Sequence, residues 1–191
     1  LAYSTDRAGD EKYELRFLPL DAETAPASAA ETVPEVGYGL AWSAGAEFVF
    51  YTRLDEAQRP YQLWRHRLGT DPAGDMLIVE ERDRRFSLGT GSTRDSAFVL
   101  IGLHSTNTSE WHAIPSDAPL TKPRVLLPRR EGVEYTVDHL TPASGGRGWF
   151  VVLTNDRARD FRVVAAPDAA PRATDWREVV AHRPGVRVED V

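Results

Sequence analysis

Five histidines are the side chains best suited to acid–base or metal chemistry near neutral pH: His66, His104, His112, His139 and His182. A metal favours His-x-His or His-x-x-x-His, which put two rings on one face, and no pair has either spacing. Asp138 precedes His139, and an Asp-His pair can orient a general base, but no nucleophile is visible for it to activate. His66 lies between Arg65 and Arg67 in a strand-like run, where a structural or surface role is expected. The nucleophile elbow Gly-x-Ser-x-Gly does not occur; the nearest run, Gly89-Thr90-Gly91-Ser92-Thr93, has the wrong order and reads as a turn at a strand end. Gly145-Gly146-Arg147-Gly148 lacks the Lys-Ser/Thr and the helix start that a phosphate cradle needs, so it reads as a flexible loop. Asn107-Thr108-Ser109 fits a glycosylation acceptor formally and a polar hairpin more simply. The expectation is that the chain contains no catalytic, cofactor-binding or metal-ligating residue.

Bulk composition narrows the function classes further. Cysteine is absent, which excludes disulfides, thiolate metal sites and a cysteine nucleophile. A formal net charge of −6 leaves no polybasic face for a nucleic-acid backbone. No apolar run reaches the ~20 residues of a membrane span, so neither nucleic acid nor membrane is an expected partner, and a cytoplasmic location is expected. Of 23 basic residues only Lys12 and Lys122 are lysine, a bias that fits codon usage better than arginine-mediated recognition. The sequence starts at Leu1, its only methionine is Met76, and Leu1–Thr5 reads as mid-strand, so a fragment of a longer protein is expected.

The elements that would position these residues repeat. Leu1–Asp6, Phe50–Arg53, Phe98–Gly102 and Trp149–Thr154 are related apolar runs about 50 residues apart. Each is followed by a polar turn and a second run: Tyr13–Leu20, Tyr61–Leu68, Glu110–Ile114 and Phe161–Ala165. Third runs recur at Met76–Val79, Arg124–Leu127 and Arg177–Val180, and opening runs at Leu40–Trp42, Ser87–Gly89, Tyr135–Val137 and Arg187–Glu189. Val, Tyr, Phe, Trp and Thr are enriched, Tyr61–Arg65 alternates with period two, and Gly-rich turns punctuate the runs, all marks of strands. No amphipathic helix stands out. Four strands per ~50 residues in tandem predict an all-β β-propeller of about four four-stranded antiparallel blades, with a β-sandwich as the weaker alternative. The blades fall at about 1–36, 37–83, 84–130 and 131–185, with 186–191 opening a further blade; the first blade lacks its opening strand. That last segment either closes a four-bladed ring, giving a stand-alone protein- or peptide-binding module, or the chain is an open arc. Cut faces of an arc are expected to self-associate.

The runs Pro60–Thr70, Val79–Asp83, Ser105–Glu110, Leu127–Tyr135, Asp138-His139 and His182–Val186, in this order and spacing, resemble the propeller domain of the oligopeptidase B (protease II) branch of the prolyl oligopeptidase family of serine peptidases. The resemblance spans nearly the whole chain, with Pro60–Thr70 its most specific stretch. It implies a seven-bladed propeller, of which about four blades are here, and an α/β-hydrolase domain carrying a Ser-Asp-His triad outside this sequence. It further implies cleavage of short peptides after Arg or Lys, with the propeller gating access. The implied partners are that hydrolase domain and short cationic peptides, with no cofactor. In that setting Asp55-Glu56 and Glu80-Glu81 are either solvated strand ends or part of a negative channel that concentrates cationic peptides. Arg129, Arg130 and Glu131 are candidates for ion pairs with the hydrolase domain.

Overall fold

The computed structural model describes residues 1–20, 31–169 and 175–190. These residues form four antiparallel sheets in chain order. The first blade contains β1 (Ala2–Thr5), β2 (Tyr13–Phe17) and β3 (Thr32–Val36). The second contains β4 (Leu40–Trp42), β5 (Phe48–Leu54), β6 (Pro60–Arg67) and β7 (Met76–Glu80). The third contains β8 (Ser87–Ser92), β9 (Phe98–His104), β10 (Ser109–Pro115) and β11 (Arg124–Leu127). The fourth contains β12 (Tyr135–Leu140), β13 (Trp149–Thr154), β14 (Arg162–Pro167) and β15 (Arg177–Val180). Each strand pairs with its sequence neighbours, so every blade is a meander, as in a propeller.

Period-two alternation is what stacks the blades. Along β5, Val49 and Tyr51 turn to Leu15, Phe17, Val33 and Val36 of the first blade, while Phe50 turns to Leu88, Val99 and Ile101 of the third. Along β9, Val99, Ile101 and Leu103 face the second blade, and Leu100 joins Val137, Phe150 and Val152 of the fourth. A central strand must therefore be apolar on both faces, which is why these runs are nearly continuous in hydrophobicity. Each large side chain sealed in a seam contributes about 1.5–3 kcal/mol relative to leaving it in water.

The hairpins that join first and second strands reuse one device. The Ser43 hydroxyl accepts from the Phe48 amide at 3.0 Å, and fifty residues on the Thr93 hydroxyl accepts from the Phe98 amide at 3.0 Å. Ala46 and Ser96, three residues into each hairpin, both take positive φ (55° and 59°).

Three expectations change. Residues 186–190 add no strand to the first blade, and among the described residues their ladder contact is a bridge between Arg183 and Val186. The amides of this segment are used elsewhere: Gly185 donates to the Asp160 carboxylate and Val188 to the Asp160 carbonyl, which lays the tail over the fourth blade. Of the run Gly89–Thr93, expected as a turn at a strand end, Gly89–Gly91 lie in the interior of β8, Ser92 ends it and Thr93 opens the hairpin turn. The predicted run Phe161–Ala165 starts one residue later, because Phe161 has φ 65° and closes the preceding turn.

Candidate functional site

Four of the five histidines are spent on holding sheets and turns together. His66, on β6, is fully buried between the first and second blades and stacks on Phe17 at 5.7 Å. Its Nδ1 lies 2.7 Å from Asp75 Oδ1 and its Nε2 2.8 Å from Glu31 Oε1. Tyr51 donates its hydroxyl to the other oxygen of Asp75, and burial, followed by that bond, pushes the Tyr51 pKa upward. With both ring nitrogens engaged and no route to solvent, His66 pins two blades rather than moving protons for a substrate.

His139 does not use Asp138. The Asp138 carboxylate accepts the backbone amides of His139 and Arg94, whereas the buried imidazole Nδ1 contacts Asp95 Oδ2 at 2.8 Å across the seam between the third and fourth blades. Burial opposes ionisation of Asp95, but bonds from Thr141, His139, Ala97 and Thr93 outweigh it and hold its pKa at about 2. The ring is walled edge-on by Phe98 and Phe150, and Gly148 is needed beside it, since a Cβ there would come within 2.4 Å of the imidazole. An Asp-His pair exists, then, with a different aspartate from a different blade.

His112 sits two residues from Glu110 on the same face of β10 and contacts it at 2.8 Å. Glu110 also accepts the Arg129 amide and guanidinium, and Arg129 reaches on to the buried Glu81 while covering the Phe86 ring at 4.0 Å. The His112 contact is the largest influence on Glu110, whose pKa falls to about 2 against the opposing effect of burial. Burial works against the Arg129 charge, and its bonds to Glu81 and Glu110 more than offset that. This chain of charges staples the β7–β8 linker to the third blade, so Arg129 is engaged within the chain. Arg130 pairs with Asp156, and Glu131 accepts from Asn107 at 3.5 Å. His182 faces Asp160 at 3.4 Å in the tail.

The acids predicted to line a channel border a surface groove of about 870 Å³ between the β5–β6 hairpin and the β7–β8 linker. Three of the four are already paired: Asp55 with Arg59, Glu80 with Arg82, Glu81 with Arg129. Arg59 also donates to the carbonyls of Glu81, Asp83 and Phe86, fixing the groove wall. Glu56 alone is exposed and without a partner among the described residues. A second cleft, of about 450 Å³, opens between the third and fourth blades and is lined by β8, by Leu100, Gly102, His104 and Trp111, by Thr136–Asp138 of β12, and by the charged Arg94 and the tail residue Asp190. His104 stands apart from the other four histidines: it meets Trp111 edge-on at 5.0 Å, and burial lowers its pKa. No group of three or more His, Asp or Glu among the described residues is arranged to hold a metal ion.

Sequence reasoning missed Glu31, Asp75, Asp95 and Glu110. Glu110 was within reach, because i and i+2 share a strand face; the other three approach their histidines from elsewhere in the chain, and no local pattern announces them.

Antiparallel sheets, three of four strands and one of three, joined as meanders with polar pegs in the seams, define part of a β-propeller. Residues 1–191 match the family model described as the prolyl oligopeptidase N-terminal β-propeller domain. The chain is 37% identical over 191 residues to dipeptidyl aminopeptidase BI of Pseudoxanthomonas mexicana, covering 99% of this chain and 25% of that protein. It is 36% identical over 169 residues to protease 2 of Moraxella lacunata, covering 87% and 23%. Among solved structures, oligopeptidase B from Trypanosoma brucei, in a closed form with covalently bound antipain, superposes with a TM-score of 0.83 at 30% identity over 99% of this chain and 25% of that one. The chain belongs to the prolyl oligopeptidase family and is part of its N-terminal β-propeller. It spans about a quarter of the length of these relatives.

Proposed function

We propose that this chain is the access-controlling propeller of a serine oligopeptidase that cleaves short peptides after Arg or Lys in the cytoplasm. The observation that carries the reading is the match of all 191 residues to a peptidase propeller while they span only a quarter of the relatives' length. The chemistry belongs to an α/β-hydrolase domain of the same protein, where a serine attacks, a histidine takes its proton and backbone amides hold the oxyanion. The propeller contributes rigidity and exclusion. Seams sealed by apolar stacking and buried charge pairs make a wall that an extended peptide passes beside and a folded protein cannot, and closure expels water from the reacting groups. The net charge of −6 favours cationic peptides at long range, within the ~8–10 Å that salt allows. The names protease 2 and oligopeptidase B among the relatives support the peptidase class.

The test is an assay of the full-length protein on amide substrates ending in Arg, Lys, Pro or Phe, with a fluorophosphonate as inhibitor. Turnover of the Arg and Lys substrates, lost on labelling, together with no cleavage of a folded protein bearing the same sites, is the expected result. Preference for Pro, resistance to the fluorophosphonate, or digestion of the folded protein overturns the reading.

A further inference from the structure

The seam between the second and third blades is filled where the next seam is hollow. In the second blade, Gly39 is required by packing: a Cβ there would lie 3.0 Å from Thr90 Cγ2 and 3.2 Å from the Thr90 amide. Ala41 beside it is buried. In the third blade the corresponding positions of β8 are Gly89, paired with Gly102, and Gly91, paired with Leu100. A Cβ at either Gly89 or Gly91 would meet nothing within 4 Å, and neither takes a positive φ. Glycine in a strand interior sacrifices packing and chain order, and one reason to keep it is close approach by another molecule. Val137 of β12, which by register holds the place that Thr90 holds over Gly39, leaves this floor open.

The resulting cleft of about 450 Å³ lies within the range of sites that take a small group or a few residues of chain. Its floor is bare backbone; Leu100, Val137 and Trp111 give apolar walls. The His104 imidazole opens onto it with no hydrogen-bond partner among the described residues. Burial lowers the pKa of the ring and so favours its neutral form, which offers one donor and one acceptor. Strand β8 is also the terminal strand of its sheet, with one edge that pairs with no strand among the described residues.

We propose that this cleft is a peptide subsite: an extended peptide lies along β8 and seats an aromatic or large apolar side chain on the Gly89–Gly91 floor, against Trp111 and His104. Edge-strand amides supply backbone hydrogen bonds and the hollow selects the side chain. The substrate class rests on the peptidase reading above; the binding itself does not.

The experiment uses the full-length protein and fluorescein-labelled Gly/Ser peptides carrying one Phe or, as control, one Ala. Fluorescence anisotropy reads binding whether or not the peptide is cut, so a failed peptidase assay leaves this test intact. Gly89→Val and Gly91→Val fill the hollow with β-branched side chains that a strand accepts. The Phe peptide is expected to bind about tenfold or more tighter than the Ala peptide, and each valine variant to remove that preference with an unchanged melting temperature. Equal affinity for the two peptides, or a preference that survives both variants, overturns the proposal. Loss of melting temperature in both variants with peptide affinity unchanged also overturns it, because a segment of the parent protein then occupies the cleft.

Discussion

Gly39 and Gly89 hold the same place in consecutive blades and meet opposite surroundings. A methyl group at Gly39 would press on Thr52 Cγ2 at 2.9 Å and on the Thr90 backbone at 3.2 Å, and backbone cannot step aside as a side chain can. Gly39→Ala is expected to cost about 1–3 kcal/mol, read as a lower urea midpoint, while Gly89→Ala leaves the midpoint unchanged or slightly higher. Equal effects at the two positions would refute the filled-and-hollow contrast. His66 poses a different cost. Replacing it by Leu keeps the volume but leaves Oδ1 of the Asp75 side chain, 2% exposed, without its imidazole partner, with only the Tyr51 hydroxyl still bonded to Oδ2. A loss of about 3 kcal/mol is expected, with the double change His66→Leu/Asp75→Leu losing less than the single one. This scale was the least legible from sequence. The histidines could be named and the metal spacings dismissed, yet the residue orienting His139 is Asp95 and not its neighbour Asp138, because a strand points consecutive side chains to opposite faces.

Strands and hairpins were far more legible, and the reason is physical. A blade strand covered on both sides must be apolar nearly throughout, so β5, β9 and β13 stand out as a period near 50. Where that pressure lapses the signal is weaker: Val186–Val191 resembles an opening strand, yet residues 186–190 form no strand, the Val186 amide going to the Arg183 carbonyl and the Val188 amide to the Asp160 carbonyl. Elements are also tied across seams by carboxylates, which gives the fold an acid limit. Asp95 and Glu110 both have folded pKa values near 2, below their ordinary range of about 4. A depressed carboxylate pKa adds stability that is complete above the unfolded value and drains as pH falls through the folded one. The urea midpoint is therefore expected to hold from neutral pH down to about 5 and to decline between about 4 and 2. Glu110→Gln should lower the plateau and flatten the decline. An unchanged slope in that variant would remove the His112–Glu110–Arg129 chain from the account.

At the scale of the whole molecule the propeller is a one-dimensional stack, with each blade touching only its neighbours, and this predicts how disturbance travels. Adjacent residues of one strand, Leu100 and Ile101, belong to different seams: Ile101 packs with Phe50 and Leu63 of the second blade, and Leu100 with Phe150 and Val152 of the fourth. Ile101→Val removes one buried methylene at about 1 kcal/mol, and Leu100→Ala removes more, at about 2–3 kcal/mol. If seams open as separate units, amide exchange under native conditions should accelerate in β4–β6 for Ile101→Val and in β12–β14 for Leu100→Ala, with the far blade unaffected in each case. The pair is discriminating because the two residues are neighbours on one strand and both are buried: the larger deletion at Leu100 sets the size of the effect, whereas the direction of the side chain sets which strands respond. Acceleration of the same strands by both variants would mean that the blades open together and that the array behaves as a single core. On the access-control function proposed above, the wall would then have to move as a rigid body rather than by parting one seam, and peptide access would depend on that motion against the proposed hydrolase domain.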